Sequence, residues 1–190
     1  MIIPDQQSRA IARGPNGAYP DSLKGGLGEP GAGALAAFVD AGGTLVAFNE
    51  ASNYAIESLK LPVTNVLAGI RSNDFYAPGS LLRVEIDRAN PLATGYAAPE
   101  PAVWFEGSPA FDVTDASAAK IVARYPAAAT DPLLSGWLLG APKLAGKAAM
   151  VDVARGKGHV VLFGFRPQYR AQTMATLPLL WNAMRARPVP

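Results

Sequence analysis

The feature that most constrains the fold is a block over residues 29–62 that places a helix, a strand and a second helix in succession. "EPGAGALAAFVDAGG" has Pro30 in the first helical turn and apolar residues at helical spacing, and Gly42-Gly43 ends the helix. "TLVAFN" is a short apolar run typical of a buried strand. "EASNYAIESLKLP" predicts a turn and a short helix ending before Pro62. This alternation predicts an α/β fold with a parallel sheet.

The rest of the chain predicts more strands and a final helix. "SLLRVEID" alternates apolar and polar residues, and "AVWFEGSPAFDV", "AKIVARYP" and "LLSGWLLG" are short strand-like runs. "KAAMVDVARGKGHVVLFGF" predicts a β-hairpin that turns at Gly156-Lys157-Gly158. The segment from "YRAQT" to "LLWNAMRAR" has a helical pattern, whereas residues 5–29 have the composition of a long loop. We expect a single domain over residues 1–190, a three-layer sandwich with a mainly parallel sheet and an antiparallel hairpin extension.

Composition excludes several function classes. Hydrophobic residues make up 49% of the 190 residues and charged residues 17%, which is typical of a globular domain. The net charge of +2 is spread along the chain, so neither a nucleic-acid nor a membrane partner is expected. The chain has no cysteine and a single histidine, His159, which excludes thiolate chemistry. Catalytic zinc sites normally use several histidines, so no metal or other cofactor is expected in this chain.

Ser52 and His159 are the candidates for nucleophilic catalysis. Ser52 follows a predicted strand and precedes a helix, where a nucleophile elbow is found in some hydrolases. The surrounding "NEASNYA" lacks the glycines of such an elbow, and Ser52 is also a natural helix N-cap. His159 begins a hydrophobic strand with no evident nucleophile beside it. We favour structural roles for both and keep a Ser-dependent hydrolase as a testable alternative.

Acidic residues and one glycine-rich stretch give weaker signals. Asp5, Glu29, Glu50 and Asp74 are carboxylates that could act in pairs in acid–base chemistry, if the fold brings two of them together. "GGLGEPGAG" precedes a helix as phosphate-binding loops do, but it matches neither the dinucleotide fingerprint nor the P-loop pattern. A flexible entry to the helix is the favoured interpretation.

The densest polar cluster is "FGFRPQYRAQT", which directly follows a predicted buried strand. Its polar side chains include Arg166, Gln168, Arg170, Gln172 and Thr173. Arginines with amides could hold a carboxylate of a ligand, or they could pin the N-terminal loop or a neighbouring domain. We favour the structural role and expect Arg166 to bond a carboxylate from residues 5–29 or from Glu50. In a parallel sheet, Ser52 and Arg166 should lie near the carboxyl ends of two strands.

Five segments together resemble the C-terminal region of large bacterial zinc-carboxypeptidase-like proteins. They are "GGLGEPGAGALAAFVDAGGTLVAFNEASNYAIESLKLPVTNVLAG", "GSLLRVEID", "NPLATGY", "LLSGWLLG" and "GKGHVVLFGFRPQYRAQTMATLPLLWNAM". That region is similar to class I glutamine amidotransferases, which have a flavodoxin-like α/β fold. The resemblance covers nearly the whole chain and is most specific around "GKGHVVLFGFRPQYRAQT".

The resemblance implies a site without catalysis. In active class I amidotransferases, the strand after the hairpin ends in a His-Pro-Glu element of a Cys–His–Glu triad, and Arg166-Pro167-Gln168 stands at that place here. The nucleophile elbow would fall near Glu50-Ala51-Ser52, where there is no cysteine. Since a triad acts as a unit, the chemistry is lost. The vestigial site, or alternatively a small-molecule or carbohydrate-binding pocket, would comprise Glu50, Ser52, Arg166, Gln168, Arg170 and Gln172.

The resemblance also implies a partner. The parent proteins carry a peptidase domain whose His-x-x-Glu and distant His ligands have no match here, so zinc is expected only in that domain. We expect the chain to act as an accessory domain of it, with the first strand and helix of the fold missing ahead of "MIIPD". The parent proteins are of an exported kind, although "MIIPDQQSRA" has no signal-peptide pattern. The ligand and the oligomeric state stay open.

Overall fold

A central sheet of eight strands separates two hydrophobic cores. The structure is a computed structural model that describes residues 1–15, 17–20, 22, 24–96, 101–171 and 173–186. The strands are β1 (Ile2–Ile3), β2 (Thr44–Phe48), β3 (Val63–Asn65), β4 (Pro78–Arg83), β5 (Glu85–Ile86), β6 (Ala102–Glu106), β7 (Phe111–Val113), β8 (Ala119–Arg124), β9 (Leu133–Ser135), β10 (Ala148–Arg155) and β11 (Gly158–Phe163). The helices are α1 (Ser8–Arg13), α2 (Gly28–Asp40), α3 (Ala51–Leu59) and α4 (Leu177–Met184).

The large sheet joins a parallel part to an antiparallel part. Strands β1, β2 and β11 are parallel neighbours, with Val46 of β2 opposite both Ile2 and Val161. Strand β11 then turns back into β10, and Arg155 pairs with Gly158 across the tip of the hairpin. Strands β7 and β8 pair antiparallel with β10, and β3 and β5 extend them. The predicted α/β class, with a parallel sheet and a hairpin extension, is confirmed, and antiparallel strands continue beyond the hairpin.

Layers on both faces of the sheet complete the sandwich. On one face, α1, α2 and α3 bury side chains such as Leu35 and Val39 against Leu45 of β2. On the other face, α4 and a separate sheet of order β6-β4-β9 pack against the opposite side of the same strands, including Val46. Strand β2 is therefore buried on both faces, which explains why "TLVAF" is continuously apolar rather than alternating.

Two predicted segments differ in detail from the structure. Residues 5–29 are not wholly a loop, because they contain the short helix α1, whose Ile11 is buried. The predicted C-terminal helix begins only at Leu177, after 3₁₀ turns at Tyr169–Ala171 and Met174–Thr176. Within the described residues, the structure contains no helix with the length and apolar character needed to cross a bilayer.

Candidate functional site

The polar residues predicted to form a site meet at one edge of the parallel strands. Strands β2 and β11 are adjacent and parallel, so their carboxyl ends lie side by side. The amide of Asn49, just after β2, donates a 2.8 Å hydrogen bond to the carbonyl of Phe163, the last residue of β11. Ser52 and Arg166 follow these two strand ends, as expected. This edge is where ligand crevices form in open α/β sheets.

Asn49 forms the sharp turn between β2 and α3. Its φ of 50° lies in the left-handed region, which asparagine tolerates better than most residues. Its side chain is fully buried, and Nδ2 donates a 3.0 Å hydrogen bond to Oδ1 of Asp5. The backbone amide of Glu50 donates to the same oxygen at 3.2 Å. Sequence reasoning missed Asn49, although an asparagine directly after a buried strand is a signal for such a turn.

Arg166 joins two carboxylates from distant parts of the chain. Its Nε donates to Oδ2 of Asp5, and its Nη1 donates to Oε2 of Glu106 at 2.6 Å. Burial lowers the pKa of Arg166, but hydrogen bonds and charges from Asp5 and Glu106 outweigh it and raise the pKa above its ordinary value. The prediction that Arg166 bonds a carboxylate from residues 5–29 is confirmed. Asp5, Asn49, Glu50, Glu106 and Arg166 are called the Arg166 network below.

An aromatic pair borders the Arg166 network. Trp104 stacks on Tyr169 with ring centroids 4.8 Å apart and planes at 13°. The guanidinium groups of Arg166 and Arg170 each lie 5.4 Å from the centre of the Tyr169 ring, within cation–π range. Arg170 and Gln168 are exposed, so of the predicted cluster only Arg166 enters the network. Gln172, also predicted for the site, lies outside the described residues.

Ser52 has a different role from the one predicted. It is the second residue of α3 rather than its N-cap, and Glu50 occupies the cap position without a side-chain hydrogen bond. The hydroxyl of Ser52 is fully buried, 3.0 Å from the carbonyl oxygen of Phe163 and 3.2 Å from that of Ala47. The N-cap hypothesis is wrong because the hydroxyl faces the sheet, where it links α3 to both parallel strands.

His159 does not reach Ser52. It lies at the start of β11, where its Nδ1 is 3.0 Å from Oδ1 of Asp152, whereas Ser52 contacts the last residue of that strand. Four residues of strand separate the two ends, about 13 Å at the usual rise of a β-strand. The structure therefore contradicts a Ser52–His159 pair as nucleophile and base.

A groove of about 960 Å³ opens beside the Arg166 network. We call it the acidic groove. The residues along it include Glu50, Asn53, Glu57, Asn65, Phe75, Tyr76 and Glu106. Of the four carboxylates predicted to act in pairs, Asp5 and Glu50 come together here, while Asp74 pairs with Arg71 and Glu29 lies in the first turn of α2. In the described part of the chain, no group of three His, Asp or Glu side chains could hold a metal ion.

A chain of amide hydrogen bonds orients Glu50 in the acidic groove. The backbone amide of Leu67 donates to Oδ1 of Asn65, Nδ2 of Asn65 donates to Oδ1 of Asn53, and both bonds measure 3.0 Å. Nδ2 of Asn53 then donates to Oε2 of Glu50 at 3.3 Å. Burial raises the pKa of Glu50, and the charge of Asp5 adds to the rise, whereas Asn53 and Arg166 oppose it. The ionised carboxylate is thus held in place at some cost in stability.

Replacing Glu50 with glutamine should stabilise the protein at neutral pH. Because burial raises its pKa above the unfolded value, Glu50 contributes stability when protonated at low pH, and this contribution is lost as pH rises through the folded pKa. We expect Glu50→Gln to raise the melting temperature by about 2 °C at pH 7, with the gain vanishing at about pH 4. Glu57→Gln, an exposed change on the same helix, should show no such pH dependence. An equal shift at both pH values would contradict the prediction.

Comparison with known proteins identifies the fold. No protein-family model and no curated protein matches the sequence. A cytoplasmic protein from Salmonella typhimurium is similar in structure, with a TM-score of 0.56, 13% identity, and coverage of 100% of this chain and 71% of that protein. A second, from Salmonella typhimurium LT2, gives 0.52, 14%, 96% and 66%. A candidate GMP synthase protein from Thermoplasma acidophilum gives 0.51, 9%, 82% and 63%.

At these identities the likeness shows the fold alone. The chain has a class I glutamine amidotransferase-like, flavodoxin-like α/β fold. It spans less than two thirds of the length of the Thermoplasma protein and 71% of the first Salmonella protein. The part of the sequence resemblance that concerns the fold is therefore confirmed.

Proposed function

We propose that this chain is a non-catalytic, amidotransferase-like accessory domain in which a structural ion-pair network occupies the former catalytic corner. The observation that carries the proposal is the bonding of Arg166 to Asp5, which also accepts from Asn49. Asn49 is the left-handed residue of the strand-to-helix turn, the geometry of a nucleophile elbow, yet an amide is not a nucleophile. Arg166 stands where the triad base would be, and a guanidinium does not accept a proton.

The accessory role is proposed for a zinc-carboxypeptidase-like parent protein. The sequence segments that resemble such proteins support it, and in that arrangement this domain would dock on the peptidase domain or shape access to its substrate site. The coding sequence upstream of Met1 tests the parentage. We expect it to encode a His-x-x-Glu motif and a distant histidine. An upstream sequence without these zinc ligands would contradict it.

The isolated chain should have no glutaminase, esterase or peptidase activity and should bind no stoichiometric zinc. The physical reason is that neither an accessible nucleophile nor a base adjoins the turn at Asn49 within the described residues. Ammonia release from glutamine, ester and peptide cleavage assays, and metal analysis of pure protein provide the measurements. Turnover that is lost in Ser52→Ala would overturn the proposal and restore the hydrolase alternative.

A second function is favoured by the acidic groove. A cleft of about 960 Å³ with apolar walls and a few oriented polar groups has the size and character of a small-molecule site. Glu50 is held at some cost in stability, which is common among residues that serve a function. The chain would then be a binding module, with its ligand in contact with Glu50 rather than with Arg166, whose Nε and Nη1 donate within the protein.

A further inference from the structure

Negative charge exceeds positive charge around the acidic groove. Glu50, Glu57 and Glu106 line it, and no lysine, arginine or histidine does so in the part of the chain that the structure describes. Arg166 forms ion pairs with both Asp5 and Glu106. One guanidinium therefore serves three carboxylates, counting Glu50, and two negative charges of the Arg166 network are left uncompensated.

Hydrogen-bond acceptors also exceed donors at the floor of this region. Asn49 is fully buried and donates through Nδ2 to Asp5, while no donor reaches its Oδ1 in the described ranges of the chain. Buried acceptors without a donor are rare in folded proteins. The missing component beside these residues is thus a hydrogen-bond donor that carries positive charge.

Glu50 is prepared to receive such a donor. The amide chain through Asn53 bonds its Oε2, and no hydrogen-bond donor among the described residues contacts Oε1. Holding a carboxylate in one orientation before a ligand arrives lowers the entropy lost on binding. One oxygen of Glu50 is therefore free for a partner from outside the chain.

The walls of the acidic groove suit an apolar stem. Leu67, Phe75, Ala77 and Phe105 line it alongside the carboxylates. Tyr76, also in the lining, has 48% of its surface exposed, so its ring is open to contact with a cation. A ligand with a charged head and an aliphatic stem would match both halves of the lining.

We propose that the acidic groove binds an organic cation, namely a primary ammonium group on an aliphatic stem, as in a diamine or a lysine side chain. The ammonium would donate to Glu50 Oε1 and restore charge balance, and the stem would lie against Phe75 and Tyr76. This inference rests on the second function proposed above, that of a binding module, and is independent of the absence of catalysis.

Calorimetric titration of the full 190-residue chain at low salt tests the inference. The probes are 1,5-diaminopentane and Nα-acetyl-lysine N-methylamide, with pentanoate and 1-pentanol as controls of the same stem length. We expect at least one amine to bind with a Kd of about 1 mM or tighter, and about tenfold weaker binding in Glu50→Gln. Glu85→Gln, an exposed change on β5, should leave the affinity unaltered. Preference for the lysine derivative would identify a peptide as the source of the cation, and preference for the diamine a free amine.

Several results would overturn the inference. No binding of either amine at about 10 mM, or equal binding of 1-pentanol, would exclude an ammonium site. Equal weakening in Glu85→Gln and Glu50→Gln would show a general charge effect instead of a site. Binding of a neutral sugar without binding of amines would overturn the cation while leaving the binding module in place. None of these results bears on turnover, which tests the non-catalytic proposal separately.

Discussion

Replacing Arg166 with alanine should lower the melting temperature by about 5–10 °C. The change leaves Asp5 and Glu106 without their shared cation, and the side chains of Arg166 and Asp5 are each only 21% exposed. Removing one partner of such a pair costs about 2–3 kcal/mol once the residual solvent access is taken into account. In a chain of this size, each kcal/mol corresponds to about 2–4 °C. Thermal unfolding followed by circular dichroism gives the measurement.

Arg170→Ala is the matched control. Both arginines lie 5.4 Å from the centre of the Tyr169 ring, but Arg170 is exposed and forms no ion pair with a described carboxylate. Its replacement should therefore change stability by less than about 0.5 kcal/mol. If the two substitutions had equal effects, the ring contact rather than the ion pairs would account for the role of Arg166. An unaltered melting temperature in Arg166→Ala would instead favour a ligand-binding arginine.

Asn49→Asp should destabilise the protein by about 2–3 kcal/mol at pH 7 while changing one side-chain atom only. The substitution turns the donor that faces Asp5 Oδ1 at 3.0 Å into a carboxylate oxygen, at a position with no solvent access. Like charges in this setting repel strongly. Chemical denaturation at pH 7 and at about pH 4 gives the measurement, and the loss should shrink at the lower pH as the new carboxyl is protonated.

Asn73→Asp provides the control for Asn49→Asp. It makes the same chemical change at an exposed position, so it alters the net charge equally without placing a carboxylate against another. We expect an effect within about 0.5 kcal/mol. A similar loss of stability in both variants would show that net charge, rather than the contact with Asp5, accounts for the effect.

The central helix–strand–helix block was predictable because its signals are local. Proline in the first turn, a glycine pair at the helix end and a continuous apolar run each act within a few residues, and the structure has α2, β2 and α3 in those places. Helix α1 has six residues and no side-chain cap, so its sequence carries little periodicity. The prediction that Ser52 caps α3 failed by two residues, which is within the ordinary uncertainty of a helix boundary but moves the hydroxyl to another face.

The site was only partly predictable because its contacts are distant in sequence. A carboxylate partner for Arg166 followed from chemistry, since a guanidinium after a buried strand needs an acceptor. Glu106 was not foreseen, because it is 60 residues from Arg166 and belongs to the smaller sheet. The acidic groove was missed for the same reason, as α3, the loop after β3 and the end of β6 meet only in the folded chain.

A double-mutant cycle between Asp5 and Arg166 tests the central claim, that this corner of the fold is a structural clamp. The free energy of unfolding is measured by denaturant titration for the wild type, Asp5→Ala, Arg166→Ala and the double variant. We expect a coupling energy of about 1.5–3 kcal/mol between the two residues, as for a largely buried ion pair with direct hydrogen bonds. A coupling energy below about 0.5 kcal/mol, with both single variants as stable as the wild type, would contradict the account.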